Sequence, residues 1–173
     1  MPGTSQLEHL TLFENLTREE MTGLLELAEP VSFEAGEVIF EENGPEDRLY
    51  VLTSGTVEVT KEVLHDRPHH LATMEAPTVI GELGLLTEPR SAATVTAKTR
   101  VEGRAFPREP LLERLEAGDQ AACKVAYQIG RTLARRMAQT NNAVGEIITH
   151  MESAEATRDF DIFQDKLIQE WSL

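Results

Sequence analysis

The chain has 173 residues, of which 40 % are hydrophobic and 27 % are charged, a composition typical of a folded domain with an appendage. Its formal net charge of −14 argues against a partner with a phosphate backbone or an anionic membrane surface, because both require clustered Lys and Arg. Cys123 is the single cysteine, so an intramolecular disulfide is excluded. Residues Met1 to Leu10 do not show the basic segment and apolar run expected of a signal peptide, and no apolar run approaches about 18 residues. We therefore expect a cytoplasmic soluble protein that binds neither nucleic acid nor membrane.

An N-terminal helix is predicted over Phe13 to Ala28. Thr17 and Glu20 have the Thr-x-x-Glu spacing of a capping box, in which each side chain accepts from the backbone N–H of the other residue. Pro30 is expected to end this helix, because a proline lacks the amide hydrogen that a further turn requires.

Short β-prone runs alternate with turn signals such as Asn43-Gly44-Pro45 and Ser54-Gly55 over the next part of the chain. The predicted strands are Val31–Phe33, Val38–Phe40, Leu49–Thr53, Val57–Val63, His70–Met74, Val79–Ile80, Ala92–Ala97 and Val101–Phe106. About eight short strands at this spacing favour a sandwich or jelly roll. The one helical interruption, over Glu82 to Leu86, lies between the sixth and seventh predicted strands.

The chain is predicted to be helical from Arg108 onward, with a short helix ended by Gly118 and a long helix from Gln120 to Met151 that Asp119 caps. Apolar residues form one stripe along the long helix: Val125, Ile129, Leu133, Met137, Val144, Ile147 and Met151. We predict three regions, namely a β roll with its N-terminal helix over 1–118, a dimerisation helix over 119–151 and a helical tail over 152–173. The predicted fold class is mainly β with flanking helices, a double-stranded β-helix or jelly roll with a long C-terminal helix.

The segment from Gly81 to Val95 combines a short apolar helical turn with the sequence Arg90-Ser91-Ala92. Amides at a helix N-terminus attract anions, an arginine offers a planar fork to phosphate oxygens, and a carboxylate accepts hydrogen bonds from a ribose hydroxyl. This segment resembles the phosphate-binding cassette of the cyclic nucleotide-binding domain family. The order of elements from Leu12 to Met151 also resembles that family.

The resemblance implies a non-catalytic sensor or regulatory module, with cAMP or cGMP as its regulatory ligand and without a catalytic cofactor. The implied ligand contacts are Gly81, Glu82, Leu83, Gly84, Arg90, Ser91, Thr140 and Asn141. Glu82 would hold the ribose, Arg90 with Ser91 would hold the phosphate, and Thr140 with Asn141 would approach the base. The last two assignments depend on the similarity of Leu133–Gly145 to the long helix of bacterial catabolite activator proteins. Binding would then shift the long helix between two packings.

The spacing of the cassette arginine differs from that of the kinase regulatory subunits in the family. Those proteins usually place it nine residues after the glutamate and follow it with Ala-Ala-Thr-Val, whereas Arg90 lies eight residues after Glu82. An ungapped match therefore puts Ser91 at the phosphate position, and a match through Arg-Ser-Ala needs a bulge before the next strand. The alternative function is a dimeric scaffold or interaction protein of the same fold that binds no nucleotide.

The long helix is expected to pair with a second copy in a homodimer. Thr140 and Asn141 then have a second interpretation, as polar residues that fix the register of the paired helices. A transcription factor would need a helix-turn-helix after the long helix, and the acidic residues after Met151 do not suggest one.

The remaining candidates do not indicate catalysis. The nearby histidines His65, His69 and His70 suggest either a metal site or solvated residues of a hairpin loop. Cys123 is expected to be a small core residue, and the absence of a hydrolase, metalloprotease or P-loop motif argues against an enzyme. The tail has an apolar face formed by Phe160, Phe163, Leu167, Ile168 and Trp171, which is expected either to dock on this protein or to bind a groove on a partner protein.

Overall fold

A computed structural model describes residues 10–64, 67–87 and 89–152 of the chain. Of the described residues, those up to Ile129 form one compact unit and those from Gly130 to Glu152 belong to a second. The helices within these described residues are a 3-10 turn at Thr11–Phe13, α1 at Arg18–Leu25, α2 at Glu82–Leu86, α3 at Arg108–Glu116 and α4 at Gln120–Glu152. None of the helices in the described ranges has the length and apolar character needed to cross a membrane.

The capping box at the start of α1 is confirmed. The Glu20 N–H donates to Thr17 Oγ1 at 3.2 Å, and the Thr17 N–H donates to Glu20 Oε2 at 2.7 Å. The predicted helix is nevertheless too long, because Asn15 adopts a left-handed φ of 71° between the 3-10 turn and α1. The polypeptide also enters its first strand at Glu29, before Pro30.

Two four-stranded antiparallel sheets form the roll, as the jelly-roll prediction requires. The first sheet has the order β1 (Glu29–Phe33), β8 (Val101–Pro107), β3 (Arg48–Ser54) and β6 (Thr78–Ile80). The second has the order β2 (Val38–Phe40), β7 (Thr94–Ala97), β4 (Thr56–Leu64) and β5 (Arg67–Glu75). All eight predicted strands are therefore confirmed, although β7 begins two residues later than expected.

The core of the roll is a cluster of buried side chains: Phe40, Leu52, Val57, Ile80, Val95, Ala97 and Val101. A second apolar layer, where Phe13, Leu24, Leu49, Phe106, Leu111 and Val125 line one narrow space, joins the helices to the first sheet. In that layer the rings of Phe13 and Phe106 have centroids 6.1 Å apart. Strand β3 is thus buried on both faces, which explains its nearly continuous apolar sequence.

The start of α4 matches the prediction. Gly118 has a positive φ of 75°, and Asp119 Oδ1 accepts from the Ala122 N–H at 2.9 Å. Cys123, however, is exposed, so its prediction as a core residue is wrong. Ala122 and Val125 occupy the buried face of the helix, and Cys123 lies on a different face because successive helical residues are about 100° apart.

The predicted stripe of α4 changes character along the helix. Val125 and Ile129 are each 2 % exposed, whereas Met137 is 55 % exposed. The side chains of Ile147 and Met151 and the predicted tail helix, Thr157 to Trp171, lie outside the described residues.

Candidate functional site

The predicted ligand site surrounds α2, which connects β6 to the segment that enters β7. Gly81 stands immediately before α2 with a left-handed φ of 83°. A Cβ atom at this position would lie 2.4 Å from the Arg48 carbonyl oxygen and 3.0 Å from Phe40 Cζ. Only glycine can adopt this conformation and fit into this space. It allows the backbone to enter α2 in close contact with the neighbouring strands.

Two of the predicted ligand residues, Glu82 and Ser91, are buried, with exposed fractions of 7 % and 5 %. A third buried polar residue, Glu46, is only 4 % exposed. Its pKa is affected by both Glu82 and Ser91. Sequence reasoning missed Glu46, because it lies in the loop before β3 and belongs to no recognised motif. The structure thus brings together two carboxylates and a hydroxyl from three separate segments of the chain.

The Glu46 carboxylate is held by the cassette backbone, since the Gly84 N–H donates to Glu46 Oε1 at 2.9 Å. Burial raises the pKa of Glu46 above its ordinary value, and the nearby charge of Glu82 raises it further. Hydrogen bonds from the Gly84 N–H and the Ser91 side chain lower this pKa but do not cancel the effect of burial. The site therefore favours the protonated form of Glu46 more than water does.

The segment between α2 and β7 is irregular around Ser91. The Ser91 N–H donates to the Gly44 carbonyl at 3.0 Å, and the Ser91 carbonyl accepts from the Asn43 N–H at 2.8 Å. The Ser91 hydroxyl donates to the Ala93 carbonyl at 2.7 Å. The pairing of β7 with β4 begins only at Thr94. Arg90, whose spacing from Glu82 differs from that of the kinase regulatory subunits, therefore lies before this ladder begins.

Arg90 lies on the exposed side of this segment, next to the buried Ser91. Its Nη1 donates to the Asn43 carbonyl at 3.2 Å, and its backbone forms an antiparallel bridge with Pro45. Together with Pro89, these residues line an open surface groove of ≈ 330 Å³. Adjacent residues of an extended segment face opposite sides, so a shift of one residue is sufficient to exchange Arg90 and Ser91.

A second residue that sequence reasoning missed is Arg108, the first residue of α3. Its Nε donates to the Gly84 carbonyl at 2.5 Å and its Nη2 to the Thr87 carbonyl at 3.1 Å. Its backbone N–H donates to the Asp47 carbonyl at 2.8 Å. Arg108 thereby fixes α2 to the loop before β3, and no sequence motif indicates this contact.

Three other residues were predicted to contact the ligand, namely Leu83 within the cassette and Thr140 with Asn141 on the long helix. Leu83 is 39 % exposed on α2. Thr140 and Asn141 lie in the second unit, on α4, where Thr140 is exposed and Asn141 is half-buried. The Thr140 hydroxyl donates to the Arg136 carbonyl of its own helix at 3.0 Å.

The described part of the chain contains no group of three or more His, Cys, Asp and Glu residues suited to a metal ion. His69 and His70 belong to β5, opposite Lys61 and Thr60. The predicted strand that begins at His70 is therefore confirmed, and the expectation that His69 lies in a hairpin loop is wrong. His65 lies outside the described residues.

Comparison with known proteins supports the resemblance. The sequence profile of the family described as the cyclic nucleotide-binding domain matches residues 30–117. A cAMP-dependent protein kinase regulatory subunit of Dictyostelium discoideum is 35 % identical over 94 residues, which are 53 % of this chain and 29 % of that protein. A CRP-like cAMP-activated global transcriptional regulator of Mycobacterium tuberculosis is 28 % identical over 137 residues, which are 79 % of this chain and 59 % of that protein.

A solved structure has the same architecture. The N-terminal domain of a transcriptional regulator from Streptomyces coelicolor A3(2) is 32 % identical and superposes with a TM-score of 0.61. The match covers 79 % of this chain and 92 % of that structure. This chain spans less than two thirds of the length of either curated relative named above.

Proposed function

This chain belongs to the cyclic nucleotide-binding domain family, and we propose that it is a non-catalytic cytoplasmic sensor whose regulatory ligand is cAMP or cGMP. The named relatives are a kinase regulatory subunit and a transcriptional regulator, so the domain is of the regulatory type. The observation that carries the ligand proposal is the burial of Glu82 and Ser91 beside Gly81, whose left-handed conformation brings the cassette against the strands. A carboxylate and a hydroxyl held in a buried position can contact a small polar ligand in a low-dielectric environment, where hydrogen bonds are stronger than in water.

The proposed roles follow the chemistry of each group. The Glu82 carboxylate accepts a hydrogen bond from a ribose hydroxyl, and the Ser91 hydroxyl donates to a phosphate oxygen. Arg90 supplies the positive charge after its side chain turns from Asn43 toward the phosphate. Gly81, Leu83 and Gly84 contribute backbone groups, and Thr140 with Asn141 are the proposed contacts to the base. The proposal includes no catalytic cofactor.

We also propose that the protein is a homodimer that pairs through α4. Leu133 and Val144 are half-buried and Met137 is 55 % exposed, although all three belong to one apolar stripe. An apolar stripe of this length is expected to be covered by another surface, and a two-fold pair of identical helices is the simplest cover.

A dimeric scaffold without a ligand is the second candidate. Two observations favour it, namely the exposure of Arg90 and the use of the Gly84 N–H by the protein's own Glu46. In a scaffold, the buried cluster would serve only to connect α2 to the loop before β3.

Isothermal titration calorimetry with cAMP and cGMP distinguishes the two candidates. In the sensor, Arg90→Ala weakens binding by about 2–4 kcal/mol, the range for removing one partner of a desolvated charge pair. Ser91→Ala should also weaken binding. Arg100→Ala is the matched control, because it removes the same charge from an exposed residue that pairs with Glu34 and Glu102. A folded parent that gives no heat at millimolar nucleotide would establish the scaffold instead.

A further inference from the structure

We propose that the Glu46 side chain is a built-in competitor of the ligand phosphate, which lowers the affinity of this site for cyclic nucleotides until it is displaced. The inference rests on the proposed function, because it concerns the same donors that the phosphate would use. It adds that the affinity of the site is set by Glu46, a residue outside the cassette.

The competing contact is direct. The Gly84 N–H, one of the backbone groups expected to face an anion, already donates to Glu46 Oε1 at 2.9 Å. The Ser91 hydroxyl has a single proton, and both the Ala93 carbonyl and Glu46 interact with this side chain. A carboxylate oxygen therefore takes the place that a phosphate oxygen would need at the Gly84 N–H. The Ser91 proton is also already used within the protein, by the Ala93 carbonyl.

Glu46 is also held tightly in this position. It is 4 % exposed, and its backbone N–H donates to the Pro89 carbonyl at 3.0 Å. A Cβ atom on Gly84 would lie 2.7 Å from both Cβ and Cγ of Glu46, so the stem of this side chain packs against α2 without a gap. A ligand oxygen can reach the Gly84 N–H only after the Glu46 side chain has moved.

Electrostatics reinforces the steric competition. Glu82 already places a second carboxylate near Glu46, and the phosphodiester of a cyclic nucleotide brings another negative charge. The guanidinium of Arg108 is used to hold the Gly84 and Thr87 carbonyls. Like charges at such short range in a buried site oppose binding strongly, so removal of the Glu46 charge should increase affinity.

The test compares the full-length parent with Glu46→Gln and Glu46→Ala by calorimetry with cAMP and cGMP. Glutamine retains an oxygen acceptor for the Gly84 N–H but loses the charge, whereas alanine removes the competitor altogether. We expect affinity to rise from the parent to Glu46→Gln and by at least about tenfold to Glu46→Ala, which corresponds to about 1.4 kcal/mol. Glu75→Gln and Glu75→Ala are the controls, because they make the same changes at an exposed residue of β5. Circular dichroism and thermal unfolding verify that each variant is folded.

A second measurement does not depend on nucleotide. Inorganic phosphate is titrated into the labelled parent and Glu46→Ala while the Gly84 amide resonance is followed by NMR. The proposal predicts a shift in Glu46→Ala at phosphate concentrations that leave the parent unchanged.

The outcomes separate the two hypotheses. Equal nucleotide affinities of parent and Glu46 variants would overturn the competitor role and leave the proposed sensor function intact. A phosphate shift confined to Glu46→Ala, with no nucleotide binding by any variant, would support the competitor role and refute the sensor. Absence of both responses in folded Glu46→Ala would refute both.

Discussion

Substitution of Gly81 by alanine tests how closely the cassette packs against the neighbouring strands. The residue combines a φ of 83° with a Cβ position only 2.4 Å from the Arg48 carbonyl oxygen. Gly36 is a matched control, because it has a φ of 92° and nothing within 4 Å of its Cβ position. The pair therefore separates the cost of the backbone conformation from the cost of the contact.

The two costs have different sizes. A left-handed conformation costs an alanine roughly 1–2 kcal/mol, and this applies to both variants. At Gly81 the new methyl group must also move the strand backbone, and overpacking of this kind costs about 1–3 kcal/mol. We therefore expect Gly36→Ala to lower the free energy of unfolding by about 1–2 kcal/mol and Gly81→Ala by roughly 2–5 kcal/mol.

Urea unfolding followed by circular dichroism measures both values, provided that the slopes of the two transitions agree. If Gly81→Ala were no more destabilised than Gly36→Ala, an alanine methyl group would fit beside the Arg48 carbonyl, and the close packing of the cassette against the strands would be refuted.

Three other predictions concern Arg108, the ionisation of Glu46 and the pairing of the long helix. Arg108→Ala should lower the free energy of unfolding by about 1.5–3 kcal/mol, because it removes charged hydrogen bonds to two carbonyls, whereas Arg100→Ala should have little effect in the same urea experiment. Because burial raises the pKa of Glu46, its contribution to stability should be complete below the ordinary value of 4.5 and be lost as the pH rises through the raised value. The stability of Glu46→Gln relative to the parent should accordingly increase over that range, and a difference independent of pH would contradict the assignment. Light scattering should give twice the chain mass of 19.3 kDa, and the double variant Met137→Glu, Val144→Glu should be monomeric; a monomeric parent at high micromolar concentration would exclude pairing through α4.

The regular elements of this protein could be predicted from its sequence, because their signals are local. Alternating apolar residues between turn sequences predicted all eight strands, and Thr17 with Glu20 forms the predicted capping box, although the helix was expected to begin at Phe13 and begins at Arg18. Gly118 and Asp119 likewise marked the boundary between α3 and α4. Each of these signals depends on backbone conformation or on side chains within one turn, so neighbouring residues contain the necessary information.

The composition of the site was decided by tertiary structure. Glu46 and Gly84 are 38 residues apart in the chain, and Arg108 reaches α2 from a different helix, so both contacts depend on how the strands pair. Arg90 is exposed and Ser91 is buried because of where the β7 ladder begins. A register shift of one residue would exchange which of the two side chains is buried. The sequence by itself determined that a cassette of this chemistry exists. Only the three-dimensional packing decided which side chains are buried beside it, because side-chain burial and contacts between distant segments are set by the register and packing of the whole roll.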